Sequence, residues 1–384
     1  MGPVNPPDEP DTGTGLAQEQ RSSTKGFAMQ TREVDAAAVQ ALLTAAVAAP
    51  SIHNTQPWRF LLDPDTRSIQ VRLDRGRQLP LADPQRRAQH LSVGAAVFNL
   101  RVAAEHLGWA PVVRLIPAVD DADLLATVRL TAPATQRQPS SRGLYEAVER
   151  RHTSRMPFTG RAVPDPIVSE MITSVRAEGA YLDVPDIVAS RRLLRLTAAA
   201  EARTATHPAR VAETRTWITA PGADAAYGIP LTALGPRDES RRIPVRDFLG
   251  APPGPQLPAT RFERHAQVAM VWTPHDRPAD WLRAGQALER ALLTATVHGV
   301  RTSTLHQAME WPDLREAMAG SRQRCCPQVL IRFGYGPDGG RTPRAAAHCA
   351  PGSLRGLEPG IHRKGAGSRD RSLQERALPA CDRD

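Results

Sequence analysis

The loop Ala48-Ala-Pro-Ser-Ile-His-Asn-Thr-Gln-Pro-Trp58 sets a hydroxyl and two carboxamides, Ser51, Asn54 and Gln56, between an Ala-rich run and a Pro-Trp entry into an apolar stretch. Such groups can hydrogen-bond a heterocycle or a polyol as donors and as acceptors. A second group stands about a hundred residues on, where Arg151 and Arg155 lie four apart with Thr153 between them. At or just before the start of a helix that spacing can bring both guanidiniums to one phosphate, with the Thr153 hydroxyl as a further donor. The alternative is a solvated basic turn pairing with Glu146 or Glu149, and the residue types alone favour it.

The elements that must hold these groups can be read from periodicity and punctuation. Asp35 caps a helix carried by the apolar run 36–49, and Pro50 ends it because a residue before proline is pushed out of the helical region. Residues 59–62 and 69–73 read as strands joined by the turn Asp63-Pro-Asp-Thr. A buried helix follows over 92–107, capped by Ser92 and ended by Gly108, and then strands at 112–116 and 124–130. Further along, helices are expected at 166–178, 191–205 and 280–298, and strands at 268–272 and 329–333. The helices 94–108 and 285–299 each begin and end on glycine fourteen residues apart, which reads as a weak internal repeat or as chance similarity between two Ala/Leu-rich helices. The Pro-rich stretch 207–258 looks like an insertion of the lid or binding-loop kind, with Trp217, Tyr227 and Phe248 either closing over a site or only pinning the loop.

Composition narrows the classes. A chain of 384 residues has room for one large domain or two. Its formal charge of +9 is almost all arginine, and a net four of those charges fall in the coreless stretch from Arg341 onward, without interleaved aromatic residues. That pattern suits a solvated tail better than a nucleic-acid or membrane surface. Residues 1–28 and 346–384 are expected to be disordered. The start lacks the features of a secretory signal and no uncharged apolar run could span a bilayer, so the cytoplasm is the expected location. The four cysteines show neither metal-ligand nor disulfide spacing, and the scattered histidines form no H-E-x-x-H pair, so no metal is expected. Gly334-Tyr-Gly-Pro-Asp-Gly339 matches G-x-G-x-x-G after a strand, but the proline at 343 falls where a helix should follow, which argues against a dinucleotide fingerprint.

The Pro-Ser-x-x-Asn-x-Gln-Pro-Trp loop at 50–58 resembles the FMN-dependent nitroreductase superfamily. Arg150-Arg-His-Thr-Ser-Arg-Met-Pro-Phe158 is similar to the arginine signature that usually begins such chains, although here it follows the loop. The segments 83–87, 94–101, 227–236 and 327–335 fit as well, so the resemblance spans roughly residues 30–345 and is nearest the Acg-type branch. It implies an α+β fold of two related halves in one chain, an intramolecular pseudo-dimer with antiparallel-rich sheets packed by helices. The halves would be 29–140 and 141–345. It implies one composite FMN site, because residues 29–34 lack a second arginine signature. The cofactor-binding residues it assigns are Ser51, Asn54, Gln56, Arg151, His152, Thr153 and Arg155, with Leu305, His306 and Gln307 beside the ring and Arg344 on the phosphate. The implied activity passes reducing equivalents from NADH or NADPH, a transient donor, to a nitroaromatic, quinone or similar small-molecule acceptor. No catalytic side-chain acid or base is required. The alternative is a protein that binds or sequesters FMN with little turnover. A monomeric pseudo-dimer is expected, without nucleic-acid or membrane partners; a higher oligomer is compatible with the same residues.

Overall fold

The computed structural model describes residues 1–2, 34–131, 143–219, 225–249, 256–321, 324–347 and 349–351. Helix α1 (Ala36–Val47) starts where the Asp35 carboxylate accepts from the Ala38 N–H at 2.7 Å, as its sequence anticipates. Strands β1 (Trp58–Asp63) and β2 (Ser68–Leu73), helix α2 (Arg87–His106), and strands β3 (Ala110–Leu115) and β4 (Leu124–Thr131) follow. Next come α3 (Leu144–Arg150), α4 (Asp165–Ala177), β5 (Tyr181–Asp183) and α5 (Ile187–Ala205). The Pro-rich region holds α6 (Pro208–Arg215) and the short strands β6 (Ile218–Thr219), β7 (Ile229–Pro230), β8 (Arg237–Asp238) and β9 (Ala259–Thr260). The chain closes with β10 (Gln267–Thr273), α7 (Pro278–Val297), β11 (Arg301–Leu305), α8 (Pro312–Ala319), β12 (Cys326–Gly334) and β13 (Cys349–Pro351).

Two sheets organise these elements. One has the order β13-β1-β2-β4-β3, antiparallel except for the β13–β1 pair, and the other the antiparallel order β11-β12-β10-β5. The first sheet packs one face against α1, α2 and α3, which fits the mixed burial along β1. The second is covered on both faces: Ala269 and Val271 of β10 meet α4 and α7, while Val268 and Met270 meet α5 and α8. Near-continuous apolar character in β10 and β12 follows from that double burial.

The long helices α2 and α7 cross between the sheets at Gly94 and Gly285. A Cβ on Gly94 would stand 2.2 Å from the Leu282 carbonyl oxygen, and one on Gly285 would stand 2.1 Å from the Leu91 carbonyl oxygen. Only glycine permits this approach, and the contact is reciprocal, since each leucine lies three residues ahead of the glycine in its own helix. Leu282 and Leu293 of α7 join the core of the first sheet, and Leu91 of α2 joins that of the second.

Two expectations change. Helix α2 begins at Arg87 instead of near Ser92, because the Asp83 carboxylate accepts from the Ala88 and Gln89 N–H groups at 3.1 and 2.9 Å and caps the helix earlier. Ser92 instead donates to the Ala88 carbonyl at 2.7 Å, inside the helix. Residues 349–351, expected in a disordered tail, form β13 beside β1, whose edge offers free backbone groups for pairing. The remainder of the expected tail from 352 onward, and residues 3–28 of the expected disordered start, lie outside the described residues. After Gly334 residues 336–347 form no helix, in keeping with the argument against a dinucleotide fingerprint.

Candidate active site

Helices α2 and α7, the loop after α1, the segment after α3, the end of β11 and the chain beyond β12 meet at one cavity. It encloses about 1120 Å³ of non-atom space, open mouth included. Ser51 and Asn54 line it from the loop, Arg151, His152, Thr153 and Arg155 from the segment after α3, Leu305, His306 and Gln307 from the end of β11, and Arg344 from beyond β12. The segment is fixed to β11 by a parallel bridge between Thr153 and Thr302 and by the Ser154 N–H on the Thr302 carbonyl at 2.9 Å. Fully buried Arg332 holds its continuation, donating to Glu263 at 2.6 Å and to the Met156 carbonyl at 3.1 Å.

Gln56 is the exception among the expected site residues. Its side chain leaves the cavity lining, donating to the Ala226 carbonyl at 2.7 Å and accepting from the Ala345 N–H at 3.0 Å. It therefore ties the loop to the Pro-rich region and to the chain beyond β12. Asn54 does similar work from the lining itself. Its amide donates to the carbonyls of Gly228 and Pro343 at 2.8 and 2.9 Å, and its oxygen accepts from Arg344 at 2.8 Å. The backbone at His53, Asn54 and Gln56 has φ of 50°, 55° and 50°, a region that costs energy for these residues and is held by such bonds. Ser51 accepts from the Gln56 N–H at 2.9 Å, and Gln307 donates to the Pro244 carbonyl at 2.9 Å.

The arginines do not all converge. Arg151 donates to the Ala48 carbonyl at 3.0 Å and faces Glu289 at 3.3 Å, whereas Arg155 donates to the Ala233 carbonyl at 3.0 Å and lies over the Phe248 ring at 5.6 Å. The chain from 152 to 155 is extended, not helical, so residues four apart stand about 13 Å from each other along the backbone, roughly twice their separation in a helix. Arg151 gains a different neighbour, Arg344, which reaches the same Ala48 carbonyl at 3.3 Å.

Two electrostatic groups result. In the first, burial and the nearby Arg151 bring Arg344 down to about 9, and burial pushes the Glu289 carboxyl up to about 7 although Arg151 counters it. In the second, burial and Arg246 bring Arg155 down to about 10, and burial with Arg246 lowers His53 to about 3. Burial opposes ionisation of Glu310 as well, yet Arg246 and His306 outweigh it and hold the carboxyl at about 2. Arg344 and Arg155 stay charged at neutral pH, and an incoming anion would favour their charged forms. Arg87 donates to His306 Nε2 at 3.1 Å, which places the ring proton on Nδ1, 3.6 Å from Glu310.

Sequence reasoning did not single out His53, Arg246, Glu289 or Glu310. Glu289 had a signal, since it lies four residues after Gly285 and so shares the helix face that makes the close crossing. Arg246 had none, because the Pro-rich region carries no period that fixes which side chains turn inward. Within that region Phe248 lines the cavity, while Tyr227 pins the loop by accepting from Arg77 at 2.7 Å. Trp217 engages through its carbonyl, which accepts from the Ile229 N–H at 2.7 Å. Among the described residues no cluster of three metal-ligating side chains occurs, and no helix is long and apolar enough to cross a membrane.

The nitroreductase family profile matches residues 19–75. A Mycobacterium tuberculosis H37Rv protein named provisionally as an NAD(P)H nitroreductase is 33% identical over 319 residues, covering 81% of this chain and 88% of its own. The acg protein of the same strain, named in the same provisional way, is 30% identical over 325 residues, covering 83% and 93%. A solved nitroreductase with bound FMN from Bacteroides fragilis overlaps 56% of this chain and 98% of its own, at 12% identity and a TM-score of 0.33.

Proposed function

The chain belongs to the nitroreductase family, and from that premise we propose that it is an FMN-dependent oxidoreductase of the Acg-type branch with one composite cofactor site. The observation that carries the proposal is the pair of guanidiniums, buried Arg151 and half-buried Arg344, that crowd one carbonyl oxygen, with Glu289 the one carboxylate paired to either among the described residues. The Nε of Arg344 is buried without a hydrogen-bond acceptor, and the Nε of Arg151 faces the Glu289 carboxylate at 3.3 Å without forming a hydrogen bond to it. Such a cluster fits a phosphate, whose oxygens accept several charge-assisted bonds at once. Above it, the hydroxyls of Ser51 and Thr153 suit a polyol chain, and Leu91, Leu288, Ile229 and Phe248 supply apolar walls for a flat ring.

Bound FMN would take a hydride from NADH or NADPH and pass electrons to a nitroaromatic, quinone or similar acceptor. This chain's residues bind and orient. Arg151 and Arg344 anchor the phosphate end, and Asn54 holds Arg344 in place. His152, Thr153, Arg155, Leu305, His306 and Gln307 line the remainder, and Gln56 braces the loop from behind. The Pro-rich region excludes water from one side through Val245, Arg246 and Phe248. The reciprocal α2–α7 crossing supports a chain of two related halves, 29–140 and 141–345; a monomer working in the cytoplasm belongs to the same proposal.

Absorption spectra of gently purified protein, before and after denaturation, count flavin per chain. One FMN per chain is expected; two would contradict a single composite site, and none after adding FMN would end the proposal. A second reading, FMN sequestration with little turnover, is favoured by the placement of Phe248 and Arg246 over the cavity. Anaerobic mixing with reduced nicotinamide separates the two, because bleaching of the bound flavin requires an open acceptor face.

A further inference from the structure

The end of the cavity covered by the Pro-rich region is more cationic than a single phosphate at Arg151 and Arg344 explains. Arg155 offers five N–H donors and makes a single hydrogen bond there, to the Ala233 carbonyl, with no ion pair among the described residues. Arg246 also lines the cavity and pairs with Glu310, which must serve Arg210 at 3.8 Å as well. Half-buried Glu201 lies close enough to Arg246 to be felt by it. Among the described residues Arg246 and Arg210 thus share Glu310, and Arg155 is left without a carboxylate partner. His53 adds a second observation: it is 7% exposed, lines the cavity, and its Nε2 is buried without a hydrogen-bond partner. The Phe248 ring stands edge-on to His53 at 5.3 Å, beneath Arg155 at 5.6 Å. An unpaired cation, an unpartnered ring nitrogen and an aromatic wall together suit an aromatic ring bearing an acidic group.

We propose that His53, Arg155 and Arg246 form a recognition site for the carboxylate of an aromatic electron acceptor, so that this protein prefers acidic acceptors over neutral ones of the same shape. The inference rests on the flavoprotein reading for the word acceptor, but the anion site itself stands on this chain's residues. No covalent step is required of them; they bind and position.

The test is equilibrium binding of benzoate and of benzamide, which are redox-inert, to the native protein by calorimetry. It is run with FMN bound and with FMN omitted, adding inorganic phosphate in the latter case to occupy Arg151 and Arg344. Benzoate is expected to bind at least about tenfold more tightly than benzamide, as one charge-assisted hydrogen bond would give. Arg155→Gln, which leaves no buried carboxylate unpaired, should abolish the preference, and Arg246→Lys, which keeps the charge beside Glu310, should weaken it. FMN content is measured on every sample. Equal binding of the two probes, or a preference that survives Arg155→Gln, overturns the proposal, as does an Arg155→Gln protein that has lost FMN affinity and not benzoate affinity. A chain that takes up no FMN yet distinguishes benzoate from benzamide refutes the proposed function and upholds the anion site.

Discussion

Arg151 and Arg344, nearly two hundred residues apart in sequence, donate to one oxygen atom, the Ala48 carbonyl, at 3.0 and 3.3 Å. Ala48 caps the C-terminus of α1, so both cations also answer the negative end of that helix. Replacing Arg344 with Gln should weaken FMN binding by about ten- to hundredfold, the equivalent of one charge-assisted bond. Titration of flavin fluorescence measures this, and an unchanged dissociation constant would remove Arg344 from the phosphate site.

Glu289 supplies a pH dependence of definite sign. Burial raises its carboxyl to about 7 against the pull of Arg151, so the folded chain keeps a proton that the unfolded chain releases in the usual carboxylate range. Folding stability from this group is therefore present at low pH and is lost as pH rises toward 7. A phosphate placed near the carboxylate would make its proton harder to remove, so FMN affinity should fall as pH rises through 7. Glu289→Gln should flatten both profiles, leaving only the ionisation of phosphate itself; denaturant melts and flavin titrations across pH 5–9 would reveal an unflattened slope, roughly 1.4 kcal/mol per unit for one proton.

Gly94→Ala should destabilise the fold by about 3 kcal/mol or more, because the added Cβ meets the Leu282 carbonyl at 2.2 Å and neither helix backbone can yield cheaply. Gly285→Ala should behave alike. Chemical denaturation settles the point, and a loss below about 1 kcal/mol would mean that the crossing is looser than described.

Asn54→Ala removes three hydrogen bonds that join the loop, the Pro-rich region and Arg344. Hydrogen exchange should rise around Gly228 and around 342–345, with FMN bound more weakly. Unaltered exchange at Gly228 would show that Asn54 does not hold the cover in place.

Much of this was legible in the sequence. Cap and breaker residues placed α1, the β1–β2 pair and the main strands to within a few residues, because Asp35, Pro50 and Gly108 act locally. Helix α2 escaped by five residues at its start because its cap, Asp83, sits several residues upstream across a turn, beyond a local rule. Ten of the eleven expected site residues line one cavity, since a loop motif and an arginine motif mark backbone that must bend around something. Gln56 turned away because its neighbour in space, Ala226, belongs to a region whose path no periodicity predicts. Arg246 stayed invisible for the same reason, which also left open whether Phe248 lines a site or only pins the loop. Arg155 parted from Arg151 because an extended segment separates what a helix would have joined.

The crossing of α2 and α7 looks the same from either helix, each glycine meeting the other's leucine carbonyl. Were the two helices supplied by identical chains, any inherited change would strike both sides of that contact at once. Joined in one chain, the sides are free to drift apart, provided the two glycines stay. On the proposed reading of two related halves, an arginine cluster persists at one end of the crossing while the other end sheds it, and a site that symmetry would double is left single.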